Sequence, residues 1–310
     1  MLINEFADKS AIPVAAVKKL SKTASHRYKA YTIQKRRGGH RLIHHPSRPL
    51  KMLQRWIVRK VLSPLPVHGC AMGYRKNLSI ADNAQMHVKN SYLMRMDFKD
   101  FFHTIVIEDG RKFLGNQGLE GEDLQFVLSA IFRFGKLTIG APSSPSFSNA
   151  ACYQLDAILS HKSGGLGITY TRYADDLYFS APEKGFLMPF EKVVQKTVAD
   201  LSMPSSLEIN HDKTSHMSKK GVRKVTGVVL TNQGKLSIGR IRKRQISAMI
   251  HQFSGLDEFE KEKIVGWLGF ANSIEPDFVS KMRAKYSSDA IEEILQFRRV
   301  DTEFGLLDQI

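Results

Sequence analysis

Three acidic residues define the chemistry open to this chain. Asp175 and Asp176 are adjacent within Tyr170-Thr171-Arg172-Tyr173-Ala174-Asp175-Asp176-Leu177-Tyr178-Phe179-Ser180, and Asp97 closes an apolar run, Tyr92 to Phe98, that lies upstream. Adjacent carboxylates repel each other, so a fold that fixes them at a turn usually supplies a cation. Hard divalent ions such as Mg²⁺ take one or two carboxylates plus substrate phosphates. Read alone, an Asp-Asp pair is more often a solvated turn, because Asp is common in turns. Asp97 gives the pair a partner. Three converging carboxylates can hold two metal ions roughly 4 Å apart, which stabilise the attacking and leaving oxygens of an in-line phosphoryl displacement. Attack by a 3′ hydroxyl gives nucleotidyl transfer and attack by water gives cleavage; the carboxylates do not choose between them.

The elements that must position these groups can be read from periodicity. Residues 168 to 173 and 177 to 180 are aromatic and β-branched around a short polar break, the pattern of a tight hairpin with the two acids at its tip. Leu93, Met94 and Met96 are apolar, as in a buried central strand. Asp97 ends that strand, where a carboxylate serves as a metal ligand or as the N-cap of a helix starting near residue 99. Further upstream, residues 1 to about 30 read as helical. Tyr28 to Ile33 and Arg41 to His44 form a basic hairpin around Gly38-Gly39, either a grip for phosphates or a solvated turn. His40, His44 and His45 lack zinc-site spacing. Leu50, Leu53, Ile57 and Val61 form one helical stripe opened by Pro49. Downstream, 110 to 134 and 145 to 159 read as helices, 190 to 201 as an amphipathic helix and 206 to 209 as a short strand. Residues 224 to 230 and 235 to 238 form a second hairpin around Asn232 to Gly234. Beyond Gly239 the pattern is helical, which places a domain boundary near residue 236.

The chain has 310 residues, 42% apolar and 25% charged, an ordinary globular balance. Its net charge of +16 is not ordinary and implies a polyanionic partner, nucleic acid first and an acidic membrane surface second. Two cysteines, Cys70 and Cys152, exclude a disulfide framework and a Cys-rich zinc site. With no signal peptide and no bilayer-length apolar run expected, the chain reads as cytoplasmic, with no membrane partner.

At this point a resemblance becomes specific. Tyr173-Ala174-Asp175-Asp176 resembles the catalytic box of reverse transcriptases, and Met96-Asp97-Phe98-Lys99-Asp100-Phe101-Phe102 resembles the metal-binding box that precedes it. Gly140-Ala141-Pro142-Ser143-Ser144-Pro145 is similar to the nucleotide-side box between them, and His211-Asp212-Lys213-Thr214 to the lysine box that follows. Order and spacing agree over about residues 25 to 235. Asn83-Ala84-Gln85-Met86-His87 fits an Asn-Ala-x-x-His element, and Val225-Thr226-Gly227 a Val-Thr-Gly element. On these the chain is identified as a member of the bacterial retron reverse transcriptases.

The resemblance implies an α+β, right-hand polymerase architecture. Fingers and palm would occupy residues 1–235, with the palm, an antiparallel sheet plus helices, mainly at 91–105 and 141–235, and a short helical thumb would occupy 236–310. It implies that Asp97, Asp175 and Asp176 bind two Mg²⁺, with Mn²⁺ as a substitute and the Phe98 carbonyl as a further ligand. Lys213 would act near the pyrophosphate. Lys35, Arg36, Arg41, Phe102, Ile139 and Gly140 would contact the nucleotide, Phe102 as the gate against a sugar 2′ hydroxyl. Asn83, His87, Val225, Thr226, Gly227, Arg240, Arg242, Lys243 and Arg244 would face nucleic acid, with Trp267 in the thumb core or against the duplex. The implied activity is RNA-directed DNA synthesis on a structured non-coding RNA, starting from an internal 2′ hydroxyl. Deoxynucleoside triphosphates would be the substrates and branched RNA–DNA (msDNA) the product. The implied setting is antiphage defence with a separate effector protein. Another stand-alone bacterial reverse transcriptase, intron-derived or of the abortive-infection type, and a catalytically silent RNA-binding module are the alternatives. The chain leaves the family pattern at Leu137-Thr138-Ile139-Gly140, where members read Leu-Pro-Gln-Gly: Ile139 cannot make the glutamine's polar contact.

Overall fold

The computed structural model describes residues 1–34 and 38–298. These fall into two compact units. The first joins Met1–Ser79 to Asn90–Met217, and the second joins Ile80–Lys89 to the chain from Ser218 onward. The boundary read from the sequence, near residue 236, falls inside the second unit.

In chain order, helices α1 (Leu2–Ser10) and α2 (Val14–Lys22) lead into strands β1 (Tyr28–Gln34) and β2 (His40–Pro46). These pair antiparallel with Gln34 opposite His40. Helix α3 (Arg48–Ile57) follows, its first turn set by Pro49 and its stripe Leu50, Leu53 and Ile57 fully buried. Helix α4 (Ile80–His87) belongs to the second unit. Strand β3 (Tyr92–Asp97) and the short α5 (Phe101–Thr104) precede α6 (Ile107–Asn116) and α7 (Gly121–Ile131). The single helix expected over 110 to 134 is therefore two. Gly118 and Gly121, both at positive φ, turn the chain between them. Helices α8 (Ser143–Ala151) and α9 (Tyr153–Gly164) likewise replace one expected helix, parted at Cys152. Then come β4 (Thr169–Tyr173), β5 (Asp176–Ala181), α10 (Leu187–Ala199) and β6 (Ser215–Ser218). The strand expected at 206–209 is reduced to one bridge between Ile209 and Phe98.

The sheet of the first unit runs β4-β5-β3-β6, with β5 antiparallel to both β4 and β3. Leu93, Met94 and Met96 of β3 and Leu177 and Phe179 of β5 are buried. Phe179 stacks on Tyr170 at 4.8 Å and meets Phe190 of α10 edge-on. The central strand pair is thus covered by apolar packing on both faces.

The second unit holds β7 (Arg223–Val225), β8 (Val228–Leu230) and β9 (Leu236–Ser237) in that order, packed on α4. Helices α11 (Arg240–His251), α12 (Glu258–Ile274), α13 (Pro276–Tyr286) and α14 (Ser288–Gln296) complete it. The strand expected to run unbroken from 224 to 230 is folded back on itself. Val225 pairs with Val228, and Thr226 (φ 48°) and Gly227 (φ 88°) make the two-residue turn.

Candidate active site

Asp97 is the last residue of β3 and Asp176 the first of β5, and the register sets them directly opposite each other. Asp176 also pairs with Tyr173 of β4, so Ala174 and Asp175 alone form the hairpin tip, with Ala174 in the left-handed region at φ 57°. The Phe98 amide donates to the Asp175 carbonyl (3.0 Å), and the Asn210 amide to the Asp97 carbonyl (2.7 Å). The sheet thus brings the three acids to one end of its two central strands, with the backbone on either side tied down.

Their charges are only partly met. Lys213 donates from Nζ to Asp97 Oδ1 at 2.8 Å, but the lysine is half exposed, so water weakens the pair. Arg95 donates from Nε (3.0 Å) and Nη2 (2.7 Å) to Asp176 Oδ1, with Asp97 Oδ2 at 3.8 Å, and the Tyr178 hydroxyl donates to Asp176 Oδ2 (3.1 Å). Burial, then the charges of Asp176 and Asp97, push the Asp175 carboxyl above the usual range. Burial does the same to Asp176 despite Arg95. Neither Arg95 nor Tyr178 was anticipated from the sequence. The signal was the period of two along each strand, which puts Arg95 on the face of Asp97 and Tyr178 on that of Asp176.

A fully buried network supports the tip from behind. Arg172 of β4 and Asp156 of α9 are both 0% exposed and joined by Nη2–Oδ2 (2.6 Å) and two Nε contacts, with the Tyr170 hydroxyl also donating to Asp156. The second arm of Arg172 donates to Asn149 Oδ1 (3.1 Å) and to the Ala174 carbonyl (3.2 Å). Asn149 in turn donates to the Gly73 carbonyl. A Cβ on Gly73 would lie 2.8 Å from the Ala174 nitrogen, so only glycine lets this turn approach the tip.

The other expected site residues divide. Phe98 is buried and stacked on Phe101, and half-buried Phe102 follows at 5.4 Å from Phe101. The Ile139 carbonyl accepts from the His44 amide (2.8 Å), and Thr138 shares a hydrogen bond with the His44 ring (2.9 Å). This straps the departing loop to β2. Gly140, at φ 110°, passes so close to the His44 carbonyl that no side chain fits. Arg41 is exposed on β2, opposite Ile33, while Lys35 and Arg36 lie outside the described residues.

In the second unit, Asn83 and His87, expected on a nucleic-acid face, are instead 0% exposed. They lie on α4, which packs on the β7–β8 hairpin, and burial pushes the His87 imidazole down to about 3. Val225 is buried too, and Thr226 donates to the Ile80 carbonyl (3.2 Å). The two elements are thus one packed feature. On α11, Arg240 and Arg244 are exposed, whereas Arg242 lies over Trp267 (4.4 Å) and Lys243 pairs with Glu275. Trp267 is half-buried between Arg242 and Lys263.

Among the described residues no three His, Cys, Asp or Glu side chains are gathered closely enough to hold a metal as they stand. The donor chemistry nonetheless fits one: three hard carboxylates, two of them held above the usual range by burial and by neighbouring carboxylates.

The family described as reverse transcriptase (RNA-dependent DNA polymerase) matches residues 33–271. A telomerase structure from Candida albicans, in complex with a fragment of telomeric RNA, superimposes with a TM-score of 0.50 at 10% identity, over 87% of this chain and 61% of that one. At that identity the likeness concerns the fold alone. The class is thus a reverse transcriptase, an RNA-directed DNA polymerase of mixed helix and antiparallel sheet. Two relatives in Escherichia coli narrow it. The retron Ec83 reverse transcriptase is 35% identical over 89% of this chain and 92% of its own length. The retron Ec86 reverse transcriptase is 33% identical over 94% and 92%. The chain belongs to the retron reverse transcriptases. No helix among the described residues is long and apolar enough to cross a membrane.

Proposed function

We propose that this chain copies part of a structured non-coding RNA into DNA, starting from an internal 2′ hydroxyl and leaving a branched RNA–DNA product. The observation that carries the polymerase site is the register that sets Asp97 against Asp176 with Asp175 in the adjoining turn. Asp97, Asp175 and Asp176 are the groups that would hold Mg²⁺, with the Phe98 carbonyl beside them. Bound there, the metal would supply positive charge to the phosphate oxygens of an in-line displacement. The chain's own part is to hold and release. Arg95 and Tyr178 keep Asp176 oriented, and the Lys213 ammonium shields Asp97 until substrate enters. Released from Asp97, Lys213 Nζ is the proton donor for the departing pyrophosphate. Arg41 binds the triphosphate, Phe102 faces the sugar, and the Ile139 loop packs beside it. Arg240 and Arg244 track the backbone of the template and primer. Fingers and palm are assigned to residues 1–235 and the thumb to residues 236–310. The enzyme works in the cytoplasm, in antiphage defence with a separate effector.

The test is primer extension with Mg²⁺ and deoxynucleotides on the cognate RNA. DNA synthesis is expected from the unaltered protein and not from Asp175→Asn/Asp176→Asn; undiminished synthesis by that variant would remove the assignment. Sequencing of nucleic acid that copurifies with the protein should find DNA joined to RNA through a 2′–5′ branch. Unbranched DNA alone would favour another kind of bacterial reverse transcriptase.

A further inference from the structure

Tyr74 has a conformation that its residue type does not favour. Its φ is 60°, in the left-handed region, where a bulky side chain crowds the backbone and glycine does not. The backbone just before it is tied down. The Met72 amide donates to the Arg172 carbonyl (2.7 Å), Asn149 donates to the Gly73 carbonyl (2.8 Å), and Gly73 abuts the Ala174 nitrogen. Strain that is held in place rather than relaxed points to use. Here it sends a half-exposed ring out beside the carboxylate hairpin, where it meets Phe102 at 6.4 Å and a 38° tilt. Phe98, Phe101, Phe102 and Tyr74 then form a continuous aromatic row that starts next to Asp97. Burial, followed by the charges of Asp175 and Tyr173, pushes the Tyr74 phenol up to about 12, while Arg41 pulls it back.

We propose that Tyr74 is a positioning residue for Phe102 and, through it, sets the enzyme's selectivity for deoxyribose over ribose. The inference rests on the polymerase reading above. In that row Phe102 lies between Phe101 (5.4 Å) and Tyr74 (6.4 Å). Tyr74 supplies the opposing contact that stops the Phe102 ring from swinging away when a 2′ hydroxyl presses on it.

The test compares single-nucleotide incorporation of dGTP and GTP on an RNA template with a DNA primer. Tyr74→Gly suits the backbone and removes the ring. We expect its melting temperature to be little changed and its dGTP incorporation to persist. Its kcat/KM ratio for dGTP over GTP should fall by about tenfold, the scale of losing one apolar contact in a specificity pocket. Tyr74→Phe should restore the ratio. A Tyr74→Gly ratio equal to that of the unaltered enzyme, with Phe102→Ala lowering it, would overturn the proposal, as would an equal loss with both nucleotides. If the unaltered protein makes no DNA at all, the polymerase reading falls and this inference with it.

Discussion

Two hairpin tips in this chain share one construction and differ in what surrounds them. In both, two antiparallel strands are joined by two residues, the first a non-glycine at positive φ: Ala174-Asp175 in the first unit and Thr226-Gly227 in the second. The second tip is at rest. Its flanking Val225 and Val228 are fully buried, Thr226 is tied to Ile80, and the helix beneath contributes a neutral Asn and a neutral His. The first carries like charges that the fold places together and only partly compensates. The backbone around it is anchored by Arg172, Asn149 and Phe98, while the carboxylates themselves are left at raised pKa. Where a turn only has to hold, the protein satisfies it. At the carboxylate tip the frame is rigid and negative charge is left uncompensated, the arrangement that the proposed cation site requires.

Four measurements would sharpen or break that contrast, and the largest effect concerns the leftover charge. Asp175→Asn should reduce DNA synthesis roughly ten-thousandfold, the scale seen when one member of a concerted catalytic set is removed. Its raised carboxyl means that ionisation opposes folding, so thermal denaturation of the metal-free variant should show no loss of stability and a gain at neutral pH. A marked loss would mean that the tip is structural after all.

Next comes the frame. Arg172→Met leaves Asp156 charged and buried and should cost about 3–5 kcal/mol in denaturant unfolding. Adding Asp156→Leu should recover much of that, although the donor to the Ala174 carbonyl stays lost.

Third, the resting tip should respond to acid. His87 is held near 3 in the fold against an ordinary 6.5, so the unfolded chain binds a proton there that the folded chain refuses. Its contribution is present in full above pH 6.5. It should be lost at about 1.4 kcal/mol per pH unit as the pH falls toward 3. Comparing stability against pH for His87→Gln and the unaltered protein isolates that slope.

The smallest effect is Gly227→Ala. Placing a Cβ at φ 88° should cost about 1 kcal/mol, with nothing nearby for it to strike. A loss several times larger would show that the turn is under more constraint than its surroundings indicate.

Much of the first tip was legible in the sequence because period-two alternation and an apolar run determine register, and register determines which acids meet. The second tip was not. Thr226 is β-prone and Gly227 is one residue, so nothing in Lys224 to Leu230 separates an unbroken strand from a hairpin until the strands pair. The burial of Asn83 and His87 was equally hidden, because polar side chains are by default expected at the surface. Their placement depends on α4 joining residues far along the chain. Tyr74 and Arg172 gave no periodic signal: an isolated aromatic in a loop and a lone cation in a strand reveal their roles only through distance. The splitting of α8 from α9 at Cys152 likewise has no Gly or Pro to announce it, and follows from packing.

The passage of α4 into the second unit has a consequence for how the protein is made. The chain leaves its first unit after Ser79, contributes one helix elsewhere, returns at Asn90, and builds the strands that cover that helix only after Met217. During synthesis α4 therefore emerges long before its partners, with Asn83 and His87 uncovered, and waits for β7 to β9. The second unit is not a cassette that can be cut out or transplanted as one continuous piece. A product truncated after β6 would carry an orphaned helix in its middle.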